Sequence, residues 1–155
     1  MDGWVDPLKK LINDHGNASE YLENFKMVDF LRREEPLNQI KVIREFFEVG
    51  VTAHFKFEEE VVFPAILSEC ATAESTKLIW ELQKEHVAIL KDAEEFQRLT
   101  SGSAIPLDKE KSEVANALVR KMINSVLQHS SKEDEKLLPI MKKNIQIFAK
   151  QDIEQ

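Results

Sequence analysis

The sequence predicts an all-α protein, an up-down-up-down four-helix bundle with a short extra C-terminal helix. The 155 residues include only four glycines and five prolines, and helix-forming residues dominate between them. Apolar residues recur at spacings of three and four, the period of one helix face, and the two-residue alternation typical of strands is absent. Four helices of roughly 25 residues, each about 40 Å long, pack most simply as antiparallel neighbours.

The first two helices are both predicted to begin at a proline. Asp6 can cap the first helix and Pro7 can occupy its first position, because the N–H that proline lacks has no partner there. This helix is predicted to run to about Arg33. Pro36 opens the second helix, and Pro64 is expected to end or kink it, because a proline ring disrupts the hydrogen bond to the fourth preceding residue.

Two further long helices follow. The third is predicted to run from about Thr72 to Leu99. The segment 101–106 contains glycine, serines and proline and is therefore predicted to be a loop. The fourth helix is predicted to start near Asp108 and to extend to Pro139.

The end of the chain is expected to add little to the bundle. A last short helix is predicted from Ile140 to about Ala149. We assign residues 1–150 to a single helical domain, because a chain of this length forms one sizeable core. Residues 151–155 are polar and are expected to fray.

Composition and charge exclude several classes of protein. The net charge of −7 argues against binding to nucleic acid or to an anionic membrane surface, because both require a basic surface. No stretch approaches the roughly 20 apolar residues of a membrane span, and no secretory signal is present at the start, so we expect a cytoplasmic protein. Cys70 is the only cysteine, which excludes an internal disulfide and a thiolate metal cluster.

One sequence pattern occurs twice. Residues 54–64 and 129–139 both read His-x-x-x-Glu-acidic-Glu-x-aliphatic-apolar-Pro. Residues four apart share a helix face, so each phrase places an imidazole beside a carboxylate. These pairs are His54 with Glu58 and His129 with Glu133. A nitrogen and an oxygen ligand offered twice, from two helices, are what a two-metal site inside a helix bundle requires.

The four histidines of the chain fall one to a helix, each among apolar positions. A single histidine of this kind is usually a hydrogen-bonded core residue. Glu58 and Glu133, however, would each cost several kcal/mol to bury without a partner, and divalent cations would neutralise them. The predicted metal ligands are His15, His54, Glu58, His86, His129 and Glu133. Imidazoles and carboxylates without thiolate suit iron or manganese, with zinc as an alternative.

Residues beside the predicted ligands allow two interpretations each. The neighbouring acidic residues are expected to be solvated charges, with a supporting or spare-ligand role as the alternative; they are Glu59, Glu60, Asp134 and Glu135. Gly50 lies one turn before His54 on the same face. It indicates either close helix packing or room for a small molecule beside the metals.

On these residues the chain resembles the hemerythrin family, in its broad hemerythrin-like (HHE cation-binding) branch. The resemblance rests on the two repeated phrases, on the lone histidine of the first helix and on Glu85-His86 in the third. It implies a four-helix bundle with two non-haem iron ions joined by an oxo or hydroxo bridge, with manganese or zinc as alternatives. It further implies that His15 and His54 hold one iron, that His86 and His129 hold the other, and that Glu58 and Glu133 bridge them.

The third helix departs from the oxygen-carrying members of that family. These place two histidines one turn apart there, whereas Leu82 and Leu90 lie one turn either side of His86. Both metals are therefore expected to keep open or water-filled positions, unlike the one saturated and one open iron of a simple oxygen carrier. The fourth helix also differs, because Asp134 lies at the spacing that the oxygen carriers use. We assign the ligand role to Glu133, which matches Glu58 and the helical period.

Three functions agree with this ligand set. The leading prediction is a diiron protein that engages oxygen or a related small molecule (nitric oxide or a peroxide) for sensing, storage or detoxification. The first alternative is a diiron peroxidase or a nitric-oxide-handling enzyme. The second is a regulatory interaction module in which metal occupancy sets the stability of the bundle. A metal-free bundle with structural histidines is the remaining interpretation.

Overall fold

The computed structural model describes residues 7–26, 36–101 and 109–149, and every regular element in these ranges is helical. The first helix is Pro7–Lys26 and the third is Ala73–Thr100. The second helix consists of the consecutive segments Pro36–Glu45, Phe46–Val51, Thr52–Phe57, Glu58–Val62 and Phe63–Glu69. The fourth consists of Lys109–Lys132, Glu133–Leu137 and Leu138–Lys143, and the short helix Ile145–Ala149 follows. The predicted all-α fold is confirmed.

The third helix begins with a reciprocal cap. The backbone N–H of Ser75 donates to the Thr72 hydroxyl at 3.0 Å, and the backbone N–H of Thr72 donates to the Ser75 hydroxyl at 2.9 Å. Two otherwise unpaired N–H groups are thereby satisfied, which explains why the helix starts here. The predicted positions of Asp6 and Arg33, most of the 101–106 loop and the 151–155 tail lie outside the described residues.

The two prolines of the repeated phrases do not end their helices. The second helix continues past Pro64 to Glu69, and the fourth continues past Pro139 to Lys143. Of the two outcomes expected at Pro64, an end or a kink, the end is therefore wrong, and the expectation that the fourth helix ends at Pro139 is wrong as well. The last short helix accordingly begins at Ile145 rather than at Ile140.

A wide, π-helical turn before each proline explains this continuity. The backbone N–H of Phe63 donates to the carbonyl of Glu58, and that of Leu138 donates to the carbonyl of Glu133, each five residues earlier. A proline ring clashes with the carbonyl four residues before it, and a wider turn relieves this contact. Both wide turns begin at a glutamate predicted to bind metal, so the backbone changes its pitch at the same point in the two phrases.

Two apolar clusters fill the bundle at different depths. The first contains Leu22, Ile43, Phe47, Val51, Phe55, Ile89, Ala93, Phe96, Ala115, Val119, Met122, Ile123 and Val126. The second contains Leu8, Leu11, Phe57, Val62, Phe63, Ala65, Ile66, Leu78, Ile79, Leu82, Leu137, Leu138, Met141 and Phe148. The first and third helices pass from the second cluster to the first, and the other two helices pass in the opposite direction. This alternation gives the up-down-up-down order.

Candidate metal centre

All six predicted ligands lie in the polar layer between the two apolar clusters. The most buried are Glu58 and Glu133, with 0% exposure, and the others are His15, His54, His86 and His129. Each helix contributes the residues at the depth where it passes from one cluster to the other. The structure thus brings together the side chains that the sequence singled out.

The six side chains form two overlapping groups. The first group is His15, His54, Glu58 and Glu133, and the second is Glu58, His86, His129 and Glu133. Within each group, one nitrogen or oxygen atom from every residue lies within 4.8 Å of the others, close enough to surround one cation. Both groups contain the same two carboxylates. The histidines divide into the pairs that the family resemblance implies.

Glu58 lies between the two groups. Its Oε1 atom is 2.9 Å from Nε2 of His86, and its Oε2 atom is 3.4 Å from Nε2 of His54. One carboxylate oxygen therefore faces each pair of histidines. This is the position from which a carboxylate can contact two cations at once.

Glu133 occupies the corresponding position on the fourth helix. Its Oε1 atom is 2.7 Å from Nε2 of His15, and its Oε2 atom is 3.1 Å from Nε2 of His129. Asp134 points away from this layer: its carboxylate contacts the outer nitrogen of His15, and its side chain is 49% exposed. Of the two residues considered for the ligand role, the geometry favours Glu133.

Three buried atoms have no hydrogen-bond partner among the described residues, namely Nε2 of His54, Oε2 of Glu58 and Oε2 of Glu133. A buried polar atom left unpaired costs about 1–3 kcal/mol. All three atoms belong to the overlapping groups, where a cation would satisfy them together. Nitrogen and oxygen donors without thiolate fit iron or manganese, and also zinc.

The outer nitrogen, Nδ1, of every histidine is held by a second carboxylate. The pairs are His15 with Asp134 at 2.6 Å, His54 with Asp14 at 2.8 Å, His86 with Glu59 at 2.7 Å and His129 with Glu85 at 2.7 Å. A carboxylate that accepts the Nδ1 proton leaves Nε2 free to bind a metal and makes it more basic. Every imidazole is therefore oriented with Nε2 towards the shared layer.

These four outer carboxylates form a closed ring around the bundle. The carboxylate on each helix holds the histidine of the next helix, and the one on the fourth helix holds the histidine of the first. Each is also adjacent in sequence to a predicted ligand of its own helix. The outer carboxylates are Asp14, Glu59, Glu85 and Asp134. Glu59 and Asp134, although about half exposed, thus take the supporting role, and no such role had been assigned from the sequence to Asp14 or Glu85.

Nearby carboxylates dominate the charge state of the metal-free centre. Burial alone would lower the pKa of His54, but the hydrogen bond with Asp14 and the neighbouring carboxylates of Glu133 and Glu58 outweigh burial and raise this pKa to about 11. Burial is likewise outweighed at His129, where Glu133 and Glu58 raise the pKa to about 10. Burial would raise the pKa of Glu133, yet hydrogen bonds with Glu58 and the histidines hold it well below its ordinary range. Imidazolium and carboxylate groups therefore face each other until a metal displaces the protons.

Metal binding is expected to release protons at about pH 8, where a histidine of ordinary pKa is already neutral and would release none. His54 and His129 should each lose a proton, because their pKa values are raised to about 11 and about 10. The apparent metal affinity should consequently fall as the pH is lowered. Calorimetric titration of metal into metal-free protein, in buffers of different ionisation enthalpy, measures the protons released. Heats that do not depend on the buffer would contradict this prediction.

Replacing Glu59 by glutamine is expected to weaken metal binding about 10- to 100-fold, the usual effect of losing an outer hydrogen bond to a ligand. Nδ1 of His86 now donates a hydrogen bond to the charged Glu59 carboxylate, with 2.7 Å between Nδ1 and Oε2. The amide of glutamine is neutral and cannot replace this charge. Competition with a chromophoric chelator measures the affinity. Glu60→Gln is the matched control, because Glu60 is exposed and its nearest cation, Lys56, is 4.0 Å away. Equal affinities in the two variants would show that the outer carboxylate has no such role.

The two groups differ in their surroundings. A cavity of about 310 Å³ borders the first group, and Gly50, Val51, Val126, His15 and His54 are among the residues that line it. A Cβ atom at Gly50 would come no closer than 4.0 Å to another side chain, so close packing does not explain this glycine. Of the two interpretations of Gly50, the structure favours room for a small molecule.

Aromatic rings cover the second group. The Phe55 ring stacks on the His86 ring with centroids 3.8 Å apart. The Phe63 ring also stacks on the His86 ring, with centroids 5.8 Å apart. The Phe55 and His129 rings meet edge to face, with their centroids 5.3 Å apart. Stacked rings therefore lie against His86, whereas the cavity beside Gly50 borders His15 and His54.

A family model described as the Hemerythrin HHE cation binding domain matches residues 6–141 of the chain. No curated protein and no solved structure matches it. Among the helices that the structure describes, none is long and apolar enough to cross a membrane.

Proposed function

This chain belongs to the hemerythrin HHE cation-binding domain family, and we propose that it holds two iron ions and binds a small molecule at one of them. The small molecule is oxygen, nitric oxide or a peroxide, and the role is sensing, storage or detoxification. The observation that carries the proposal is the pair of buried ligand groups that share Glu58 and Glu133.

The overlapping groups assign residues to each ion. His15 and His54 would hold the first iron, and His86 and His129 the second, with Glu58 and Glu133 in contact with both. This division is supported by the distances, because each carboxylate approaches one histidine of each pair. Two iron ions would supply open coordination positions and one electron each.

The small molecule is proposed to enter at the first group. The cavity reaches His15 and His54, whereas Phe55 and Phe63 cover His86. Apolar side chains form much of the cavity wall, and the outer carboxylates hold each imidazole in place without occupying Nε2. These residues would thus bind and orient the small molecule.

The proposal is tested by absorption spectra of iron-loaded protein, reduced without oxygen and then exposed to air or to nitric oxide. We expect near-ultraviolet bands typical of a bridged ferric pair after air exposure, and distinct new bands with nitric oxide. His15→Ala, which removes a ligand beside the cavity, should lose both responses. Spectra that do not change on exposure to either gas would exclude this function.

A further inference from the structure

One hydroxyl of the cavity lining, that of Ser130, has no hydrogen-bond partner in the described ranges. The Ser130 side chain lines the cavity and is only 7% exposed. The other polar residues of the lining, apart from the two histidines, are Lys10, Asp14 and Asn17 of the first helix. Asp14 pairs with Lys10 at 3.1 Å and with His54, so its charge is already satisfied.

Two other hydroxyls in helices of this chain bond to the backbone of their own helix. Thr100 donates to the carbonyl of Phe96 at 2.7 Å, and Thr52 donates to that of Phe47 at 3.1 Å. The Ser130 hydroxyl makes no such bond and has no other partner in the described ranges. The Ser130 oxygen is not among the fully buried unpaired atoms, and the residue lines the cavity, so the hydroxyl is available to a molecule bound there.

The position of Ser130 directs it towards the first ligand group. Val126, Ser130 and Glu133 follow one another at spacings of four and three, so they share a face of the fourth helix. Glu133 contacts Nε2 of His15, and both Val126 and His15 line the cavity. Ser130 therefore lies about one turn before Glu133, on the helix face that borders the cavity.

We propose that Ser130 donates a hydrogen bond to a small ligand bound in this cavity beside His15 and His54. This inference rests on the proposed function, because it requires a metal in the first group. Ser130 then favours ligands that carry a strong acceptor atom beyond the atom that binds the metal, such as small anions and peroxides. Nitric oxide is a weak acceptor and gains little from the hydroxyl. Ser130 is thus a residue that determines ligand specificity.

The test uses azide as the probe, an anion whose terminal nitrogen accepts hydrogen bonds. Iron-loaded, air-oxidised protein is titrated with azide, and the affinity is read from the visible absorption. Ser130→Ala should bind azide at least about tenfold more weakly, the effect of losing one hydrogen bond to a charged group. Its iron content and its affinity for nitric oxide in the reduced state should equal those of the parent. Ser130→Thr should restore the azide affinity, and Ser131→Ala, which alters the exposed neighbouring serine, should leave it unchanged.

A vibrational readout separates the hydrogen bond from a change in packing. The antisymmetric stretch of bound azide should shift between H₂O and D₂O in the parent and in Ser130→Thr, but not in Ser130→Ala. The proposal would be overturned if iron-loaded Ser130→Ala bound azide as tightly as the parent. It would also be overturned if the azide stretch of the parent had the same frequency in H₂O and D₂O. Neither result would contradict the proposed function. A parent that takes up no iron would overturn both.

Discussion

Replacing Glu133 by alanine is expected to abolish metal binding at both positions. Glu133 belongs to both ligand groups, and its two oxygens contact His15 at 2.7 Å and His129 at 3.1 Å. His15→Ala, in contrast, leaves the second group intact, so this variant should retain about one metal ion per chain. Metal content after reconstitution and gel filtration measures the difference.

The control for this comparison is Glu135→Ala, which alters an exposed residue on the same turn of the fourth helix and should leave the metal content unchanged. Circular dichroism of the metal-free variants shows whether each remains helical. A folded Glu133→Ala protein with the metal content of the parent would refute the shared role of this carboxylate.

Removing the metal with a chelator is expected to lower the melting temperature by about 10 °C. Metal that binds only the native state contributes about 4 kcal/mol when its free concentration is about a thousandfold above the dissociation constant. Each kcal/mol corresponds to about 2–4 °C in a chain of this size. The metal-free bundle should nevertheless stay folded, because the histidines contact the buried carboxylates directly.

Thermal melts followed by circular dichroism, with and without chelator, measure this shift. Glu133→Ala is the control for direct effects of the chelator, since its melting temperature should not respond. Identical melts of the parent protein in both conditions would mean that metal does not contribute to its stability.

The sequence was sufficient for the fold and for the convergence of the six side chains. Helical spacing places Glu58 beside His54 and Glu133 beside His129 without knowledge of any neighbour. The requirement that buried carboxylates find cationic partners then leads to the four histidines. Local geometry and the cost of burial are sufficient for both predictions, and the structure places these residues in one layer.

The outer carboxylates could not be predicted in this way. Asp14 precedes His15 and Glu85 precedes His86, and adjacent residues on a helix do not face each other. Each of these carboxylates instead holds a histidine of a neighbouring helix, a relation that exists only after the helices dock. Their adjacency to predicted ligands, repeated on all four helices, was the signal available in the sequence.

The continuation of the fourth helix through Pro139 was missed for a different reason, and that of the second helix through Pro64 was left open as a kink. A proline in a helix interior usually breaks or bends it, and the rule takes no account of a wider preceding turn. Here the bonds from Phe63 to Glu58 and from Leu138 to Glu133 span five residues. From the sequence, Gly50 likewise allowed two interpretations, close packing or room for a small molecule. The volume beside it depends on how side chains from three helices pack, which the sequence does not give.

The central claim is that two cations share Glu58 and Glu133 in the middle of the bundle. Metal analysis with Mössbauer spectroscopy of the iron-reconstituted, air-oxidised protein tests this claim most directly. We predict about two irons per chain, present as one magnetically coupled ferric pair with a diamagnetic ground state. A single uncoupled iron per chain, or less than half an equivalent of iron, would contradict it.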